Sequence, residues 1–244
     1  MNNNYPQQIS KFVMDAIFPT RCVGCGAYDT YFCASCLAEV KIKNDAELVG
    51  TLHVFSAANY SDKLIQKALK VFKYGVVRDI AGPLAEVVRT YIDNLSPTIS
   101  SGLLRGNPRA EQQPNGAVVA WPSSYDGNPL VVPVPLHKKR LNWRGFNQSE
   151  ILAERFAADY KLEVAKNILI RTKNVKPQAD IEDREHRLNN IEGSFACPNQ
   201  EGLDGRNIIL VDDISTTGAT LNECAKVLAA SGAGKIKALV IARG

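Results

Sequence analysis

The sequence predicts an α/β protein: a mainly parallel sheet flanked by helices, preceded by a small four-cysteine metal module. Three observations carry that reading. From residue 130 onward, short apolar runs alternate with segments of helical periodicity, the pattern of strands joined by crossover helices. One of those runs, Ile208-Ile-Leu-Val211, leads into two adjacent carboxylates, Asp212 and Asp213, and then into a turn of hydroxyls and glycine. Four of the six cysteines form two CxxC pairs, Cys22 with Cys25 and Cys33 with Cys36.

In chain order, Ile9, Phe12, Val13, Ala16 and Ile17 lie at helical spacing within residues 7 to 18, and Pro19 ends the pattern. The cysteines follow. Each CxxC folds as a tight knuckle that aims two thiolates at one point, and Gly24 and Gly26 give the backbone freedom a knuckle wants. Disulfides suit an oxidising compartment, and a redox CxxC is not usually doubled, so the spacing points to zinc. With cysteine at all four positions no ligand site stays open, so the metal is expected to be structural. Cys197 and Cys224 stand alone and read as small buried hydrophobes. The leading helix and this module take residues 1–45, and a larger domain takes 46–244.

In the larger domain, "LHVFSAANY" reads as a strand. Ser61 is expected to cap a helix that buries Leu64, Ile65, Ala68, Leu69 and Phe72, presents Lys63, Lys67 and Lys70 to solvent, and stops at Gly75. A second helix runs from about Pro83 to Leu95. Residues 96–129, rich in Pro, Gly, Ser and Asn, predict a long loop or insertion. Beyond it come a strand over Leu130 to Pro135, a helix from Gln148 to Tyr160, a strand at 168 to 170 and a polar stretch. The strand "NIILV", a helix from about Thr217 to Ser231 and the strand "KIKALVIA" complete the chain.

Composition excludes some functions. With 45% hydrophobic and 22% charged residues the chain is an ordinary globular sequence. Its apolar runs fall well short of the roughly 18 to 20 residues a membrane span needs, and MNNNYPQQIS lacks the marks of a secretory signal, so no membrane insertion and a cytoplasmic location are expected. A net charge of +4 suits an anionic ligand but does not by itself announce nucleic acid. No GxxxxGK[ST] is present, which disfavours nucleoside triphosphate hydrolysis.

Ligands of parallel sheets bind beyond the carboxyl ends of the strands, so the turns after Val134, Ile170 and Val211 are the places to search. After Val211, Asp212 and Asp213 are followed by Ser215, Thr216, Thr217, Gly218, Ala219 and Thr220, the entry to a helix whose unpaired N–H groups attract a phosphate. Acids beside a phosphate cradle conflict unless they serve another part of the ligand. A sugar phosphate reconciles them, its hydroxyls facing the acids and its phosphate the amides. The turn after Val134 concentrates His137, Lys138, Lys139 and Arg140, and Arg144 follows before the next helix.

The run "IILVDDISTTGAT" resembles the phosphoribosyl-pyrophosphate (PRPP) loop of type I phosphoribosyltransferases. Together with the four-cysteine module, "VVPVPLHKKRLNWRGFNQSE", the stretch from Gln178 to Phe195 and the closing "ALVIAR", it is similar to the ComF family of competence-associated, phosphoribosyltransferase-like proteins. The insertion at 96–129 departs from the family. The resemblance implies a sheet of phosphoribosyltransferase type. It places ribose hydroxyls at Asp212 and Asp213, the catalytic pair, with Mg2+ nearby alongside PRPP, and the 5′-phosphate at Ser215 to Thr220. It places pyrophosphate at His137, Lys138, Lys139, Arg140 and Arg144, and a lid carrying Arg184, Arg187 and Asn190 over the ligand. If the chain is an enzyme, the reaction is displacement at the anomeric carbon with pyrophosphate leaving. No residue identifies the acceptor. A binding module for single-stranded DNA is the other class, with lysines and arginines on the phosphates and Trp143 or Phe146 stacked on bases, although a tryptophan in such a segment more often packs.

Overall fold

The computed structural model describes residues 20–75, 77–95, 128–173 and 191–244. The helix expected over 7 to 18, nearly all of the 96–129 segment, and Arg184, Arg187 and Asn190 lie outside those residues.

The described elements are α1 (Ala34–Ala38), β1 (Ala46–Val49), β2 (Leu52–Asn59), α2 (Lys63–Tyr74), α3 (Ala81–Leu95), β3 (Leu130–Pro133), α4 (Lys138–Arg144), α5 (Gln148–Tyr160), β4 (Glu163–Val164), β5 (Ile170–Arg171), β6 (Phe195–Ala196), β7 (Ile208–Ser215), α6 (Ala219–Ala230) and β8 (Ile236–Arg243). Six strands form the main sheet in the order β1-β2-β8-β7-β3-β4, and β5 with β6 makes a separate ribbon. Only β1 runs antiparallel in the main sheet; the pairs β2/β8, β8/β7, β7/β3 and β3/β4 are parallel.

Alternation along the strands assigns side chains to two faces. Phe55, Ile209, Val211, Leu239 and Ile241 bury against α2, α3 and α5, through Leu69, Phe72, Leu84, Val88, Leu152 and Phe156. Val54, Leu130, Leu210 and Val240 bury on the other face against Leu221, Cys224 and Leu228 of α6. Helices on both faces explain why β3 and the first half of β7 are apolar at every position rather than at alternate ones. The cysteine segment joins the first of these cores, since Cys22, Phe32, Cys36 and Val40 belong to the same cluster as α2.

Several sequence expectations hold at the residue level: the strand at 52 to 60, the buried stripe of α2, and α5 over Gln148–Tyr160. Others change. Asp62, not Ser61, caps α2, its carboxylate accepting the N–H groups of Leu64 and Ile65 at 2.9 and 3.1 Å. The strand expected at 168 to 170 is not in the main sheet. Glu163–Val164 takes the edge beside β3, and Ile168 and Leu169 are buried without joining a ladder. An apolar run reports burial, and here burial comes without strand pairing. The basic turn after β3 is a short helix, α4, with His137 at its cap. Helix α6 begins at Ala219, two residues later than the sequence suggested, after Gly218 in a left-handed conformation.

Candidate functional site

Strand β7 outlasts its neighbour. Its pairing with β3 stops at Pro133 opposite Val211, while pairing with β8 continues to Ser215 opposite Arg243. The acid pair is therefore inside the strand rather than in the following turn, and from Asp212 onward the β3 side of β7 is an open notch at the carboxyl edge of the sheet. Successive strand residues point to opposite faces, so a ligand reaches both acids by lying across this notch.

Each acid has its own partner. Asp213, 5% exposed, faces Lys73 of α2, with Nζ 2.9 Å from Oδ1. Half-buried Asp212 accepts hydrogen bonds from Ser149 Oγ at 2.7 Å and from the Asp213 backbone N–H at 2.8 Å. Burial, reinforced by the neighbouring Asp213 charge, pushes the Asp212 carboxyl up to about 7. The Lys73 ammonium is raised although burial opposes its charge, because Asp213 sits against it. Lys73 and Ser149 were not among the residues expected at the site. Lys73 follows three lysines that read as solvated, and Ser149 is an ordinary residue in the first turn of a helix; only tertiary placement distinguishes them.

The turn after β7 is built for close approach of a ligand to backbone. Gly218 has φ +77°, and a Cβ there would come within 2.3 Å of Val49 Cγ1, so glycine is required by conformation and by space. Asn222 closes the first turn of α6 by donating to the Gly218 carbonyl at 3.0 Å, and Thr217 Oγ1 accepts the Ala219 N–H at 3.3 Å. The N–H groups of Thr216, Thr217, Gly218 and Thr220 find no acceptor among the described residues, and the buried Ser215 hydroxyl has none either. Those donors, beside two acids, can hold a phosphate.

The basic segment is pinned to the same edge. Asn147 caps α5 through Ser149 N–H and donates its amide to the Val134 carbonyl at 3.0 Å, fixing where α4 begins and ends. Lys138 and Lys139 are exposed, while His137 and Arg140 are half-buried. Arg140 is lowered by burial and by the charges of Arg171 and Arg144, a mutual repulsion among three guanidiniums. Arg144 is buried and donates to Gln148 Oε1 at 2.6 Å, yet its Nε has no partner. Arg171, on the β5–β6 ribbon, also leaves a buried Nε unpartnered and senses the Asp212 charge. Sequence reasoning missed Arg171; the signal was its place directly after Ile170, at the start of one of the searched turns. Trp143 is 67% exposed, against the packing expected of it, whereas Phe146 is buried below the guanidinium of Arg78, whose carbon stands 5.0 Å from the ring centroid.

At the other end of α2, the four cysteine sulfurs lie within 4.8 Å of one another, and this cluster could hold a metal ion. Gly26 adopts φ +77°, and a Cβ on Gly24 would stand 2.5 Å from Cys36 Sγ and 2.9 Å from Leu64 Cδ2 of α2. The first knuckle thus turns on two glycines for two reasons, conformation and contact. Against its burial, backbone N–H groups of Cys33, Cys25 and Gly24 pull the Cys22 thiol down to about 6, while burial pushes Cys36 up to about 12.

The open acid pair and the amide-lined turn at the carboxyl edge of a parallel sheet define a phosphoribosyltransferase-type domain. The phosphoribosyl transferase domain family matches residues 144–244. Among known proteins, the chain is similar to competence protein ComFC of Bacillus subtilis, 35% identical over 150 residues, 59% of this chain and 58% of that protein. It is similar to competence protein F of Haemophilus influenzae, 32% identical over 113 residues, 46% of this chain and 49% of that protein. It also resembles the DNA utilization protein YhgH of Escherichia coli K12, 30% identical over 113 residues, 46% of this chain and 48% of that protein. The chain is thus similar to ComF-type competence proteins and carries a phosphoribosyl transferase domain over residues 144–244. It spans about half the length of the curated relatives it matches. No helix among the described residues is long and apolar enough to cross a membrane.

Proposed function

We propose that this domain binds PRPP, or another phosphorylated ribose, at the carboxyl edge of its sheet. The observation that carries the reading is the closeness in chain of Asp212 and Asp213 to the amides of Thr216, Thr217, Gly218 and Thr220, which find no acceptor among the described residues. Asp212 and Asp213 take the ribose hydroxyls, and Ser215, Thr216, Thr217, Gly218, Ala219 and Thr220 take the 5′-phosphate. His137, Lys138, Lys139, Arg140 and Arg144 serve the pyrophosphate, with Arg184, Arg187 and Asn190 as lid residues. The hard oxygens of the pyrophosphate suit Mg2+, which when bound with PRPP would supply charge neutralisation of the leaving group. The chain's own part is to orient the ribose and hold basic groups where pyrophosphate charge develops, favouring displacement at the anomeric carbon by an acceptor this site does not identify.

We further propose zinc as the metal of the cysteine cluster, in a structural role, since four thiolates suit it and leave no open position. A two-part chain, 1–45 and 46–244, working in the reducing cytoplasm in support of DNA uptake, completes the reading. Its test is calorimetric titration with PRPP and Mg2+, read alongside pyrophosphate release. A second reading is favoured by the exposure of Trp143 beside exposed Lys138 and Lys139: α4 engages single-stranded DNA, lysines on phosphates and the ring on a base. Salt-sensitive binding of an oligonucleotide that is lost in Trp143→Ala supports it.

A further inference from the structure

Asp213 is almost wholly enclosed, and the Lys73 ammonium answers its charge. Lys73 reaches it from the last turn of α2, directly after the fully buried Phe72, so the helix is anchored where the lysine leaves it. The contact is direct at 2.9 Å, and the lysine side chain is itself mostly buried. Among the described residues no such cation stands at contact distance from Asp212; its carboxylate is met by the Ser149 hydroxyl and a backbone N–H. Two neighbouring carboxylates at a ligand edge normally call for a divalent cation, because desolvated like charges repel. Here one positive charge is already built in.

We infer that Lys73 is the resident counter-ion of the acid pair, occupying on Asp213 the place a divalent cation would otherwise fill, so that Asp212 and Asp213 bind the hydroxyls of a ribose phosphate without a metal. The inference rests on the ribose-phosphate reading above and deepens it. It divides the labour of the site. Metal dependence belongs to the pyrophosphate side, and recognition of the sugar and its 5′-phosphate belongs to Lys73, the acids and the Thr216–Thr220 amides. Among the described residues, Arg171 also senses the Asp212 charge.

The probe is ribose 5-phosphate, which carries the sugar and the phosphate but no pyrophosphate. Calorimetric titrations compare wild type, Lys73→Met and Lys73→Arg in EDTA and in Mg2+, with PRPP in Mg2+ as a parallel titration. Wild type is expected to bind ribose 5-phosphate within about twofold equally in EDTA and Mg2+. Lys73→Met is expected to weaken binding in EDTA by about tenfold, the loss of one charged hydrogen bond, and to recover much of it in Mg2+. Lys73→Arg, which keeps the charge, stays near wild type. A merely structural lysine would not produce loss that magnesium repairs. Wild-type binding that requires Mg2+, or Lys73→Met that binds as wild type in EDTA, overturns the role of Lys73 while PRPP binding keeps the ribose-phosphate reading. Wild type that binds neither ligand overturns both. Circular dichroism melting checks that Lys73→Met is folded; if it is not, the metal independence of the wild type decides.

Discussion

Replacing Asp212 with asparagine should stabilise the protein, by an amount that grows as pH rises from about 4 and is complete above about pH 7. Burial and the Asp213 charge move the Asp212 carboxyl from an ordinary 3.8 to about 7. Between those values the folded chain holds a proton that the unfolded chain has released, so stability falls as pH rises through that window, and the full penalty is present above about pH 7. A displacement of this size corresponds to an upper bound of about 4 kcal/mol, and solvent screening of a half-buried carboxyl reduces the gain to about 1 to 2 kcal/mol. The substituted amide would keep an oxygen to accept from Ser149 Oγ and the Asp213 N–H, so the contacts survive while the charge goes. For a chain of this length the gain is about 2 to 8 °C in Tm. Differential scanning calorimetry of Asp212→Asn and wild type at pH 8 and at pH 4 measures it. The variant should melt higher at pH 8, and the difference should shrink toward zero at pH 4, close to the ordinary carboxyl value, where the folded protein already carries the proton. A variant no more stable at pH 8, or a gain independent of pH, would refute the account of the pair.

Three further outcomes follow from the geometry. Metal analysis should return about one zinc per chain, and Cys36→Ser should lose it and lower Tm, since the sulfur cluster is continuous with the core against α2. Gly218→Ala should cost about 1 to 3 kcal/mol in denaturant melts and weaken phosphate binding, because it meets both a positive φ and Val49; unchanged stability would contradict that geometry. Lys138→Ala with Arg140→Ala should weaken PRPP binding measured by calorimetry and leave oligonucleotide binding largely intact; the reverse result, with the salt slope reduced by about one per lost contact, would assign α4 to DNA.

The parts of the fold legible in the sequence are those governed by local periodicity. The apolar stripe of α2, the whole of α5 and the β7–α6 motif were read from spacing alone, because their burial repeats at the helical or strand period. The edge strand was not, since Glu163–Val164 has only two residues and no pattern, while the more apolar Ile168 and Leu169 fill core without pairing. The acid pair and the phosphate turn were visible as residue types. Lys73, Ser149 and Arg171 were not, because each reaches the site from an element far away in the chain, and nothing local separates a lysine against Asp213 from the other lysines on the same helix. Trp143 shows the same limit from the other side: an aromatic next to arginines reads as packing, but the short helix that carries it turns the ring outward.

The central claim is that a ribose phosphate sits across Asp212, Asp213 and the turn after them. Isothermal titration of PRPP with Mg2+ into wild type and into Asp212→Asn/Asp213→Asn, with melting curves of both, tests it most directly. The account predicts saturable binding by wild type, with a stabilisation of about 2.7 kcal/mol at a hundredfold excess of ligand over Kd, and no detectable binding by a double variant that remains folded. Equal binding by the two proteins, or none by wild type, would contradict it.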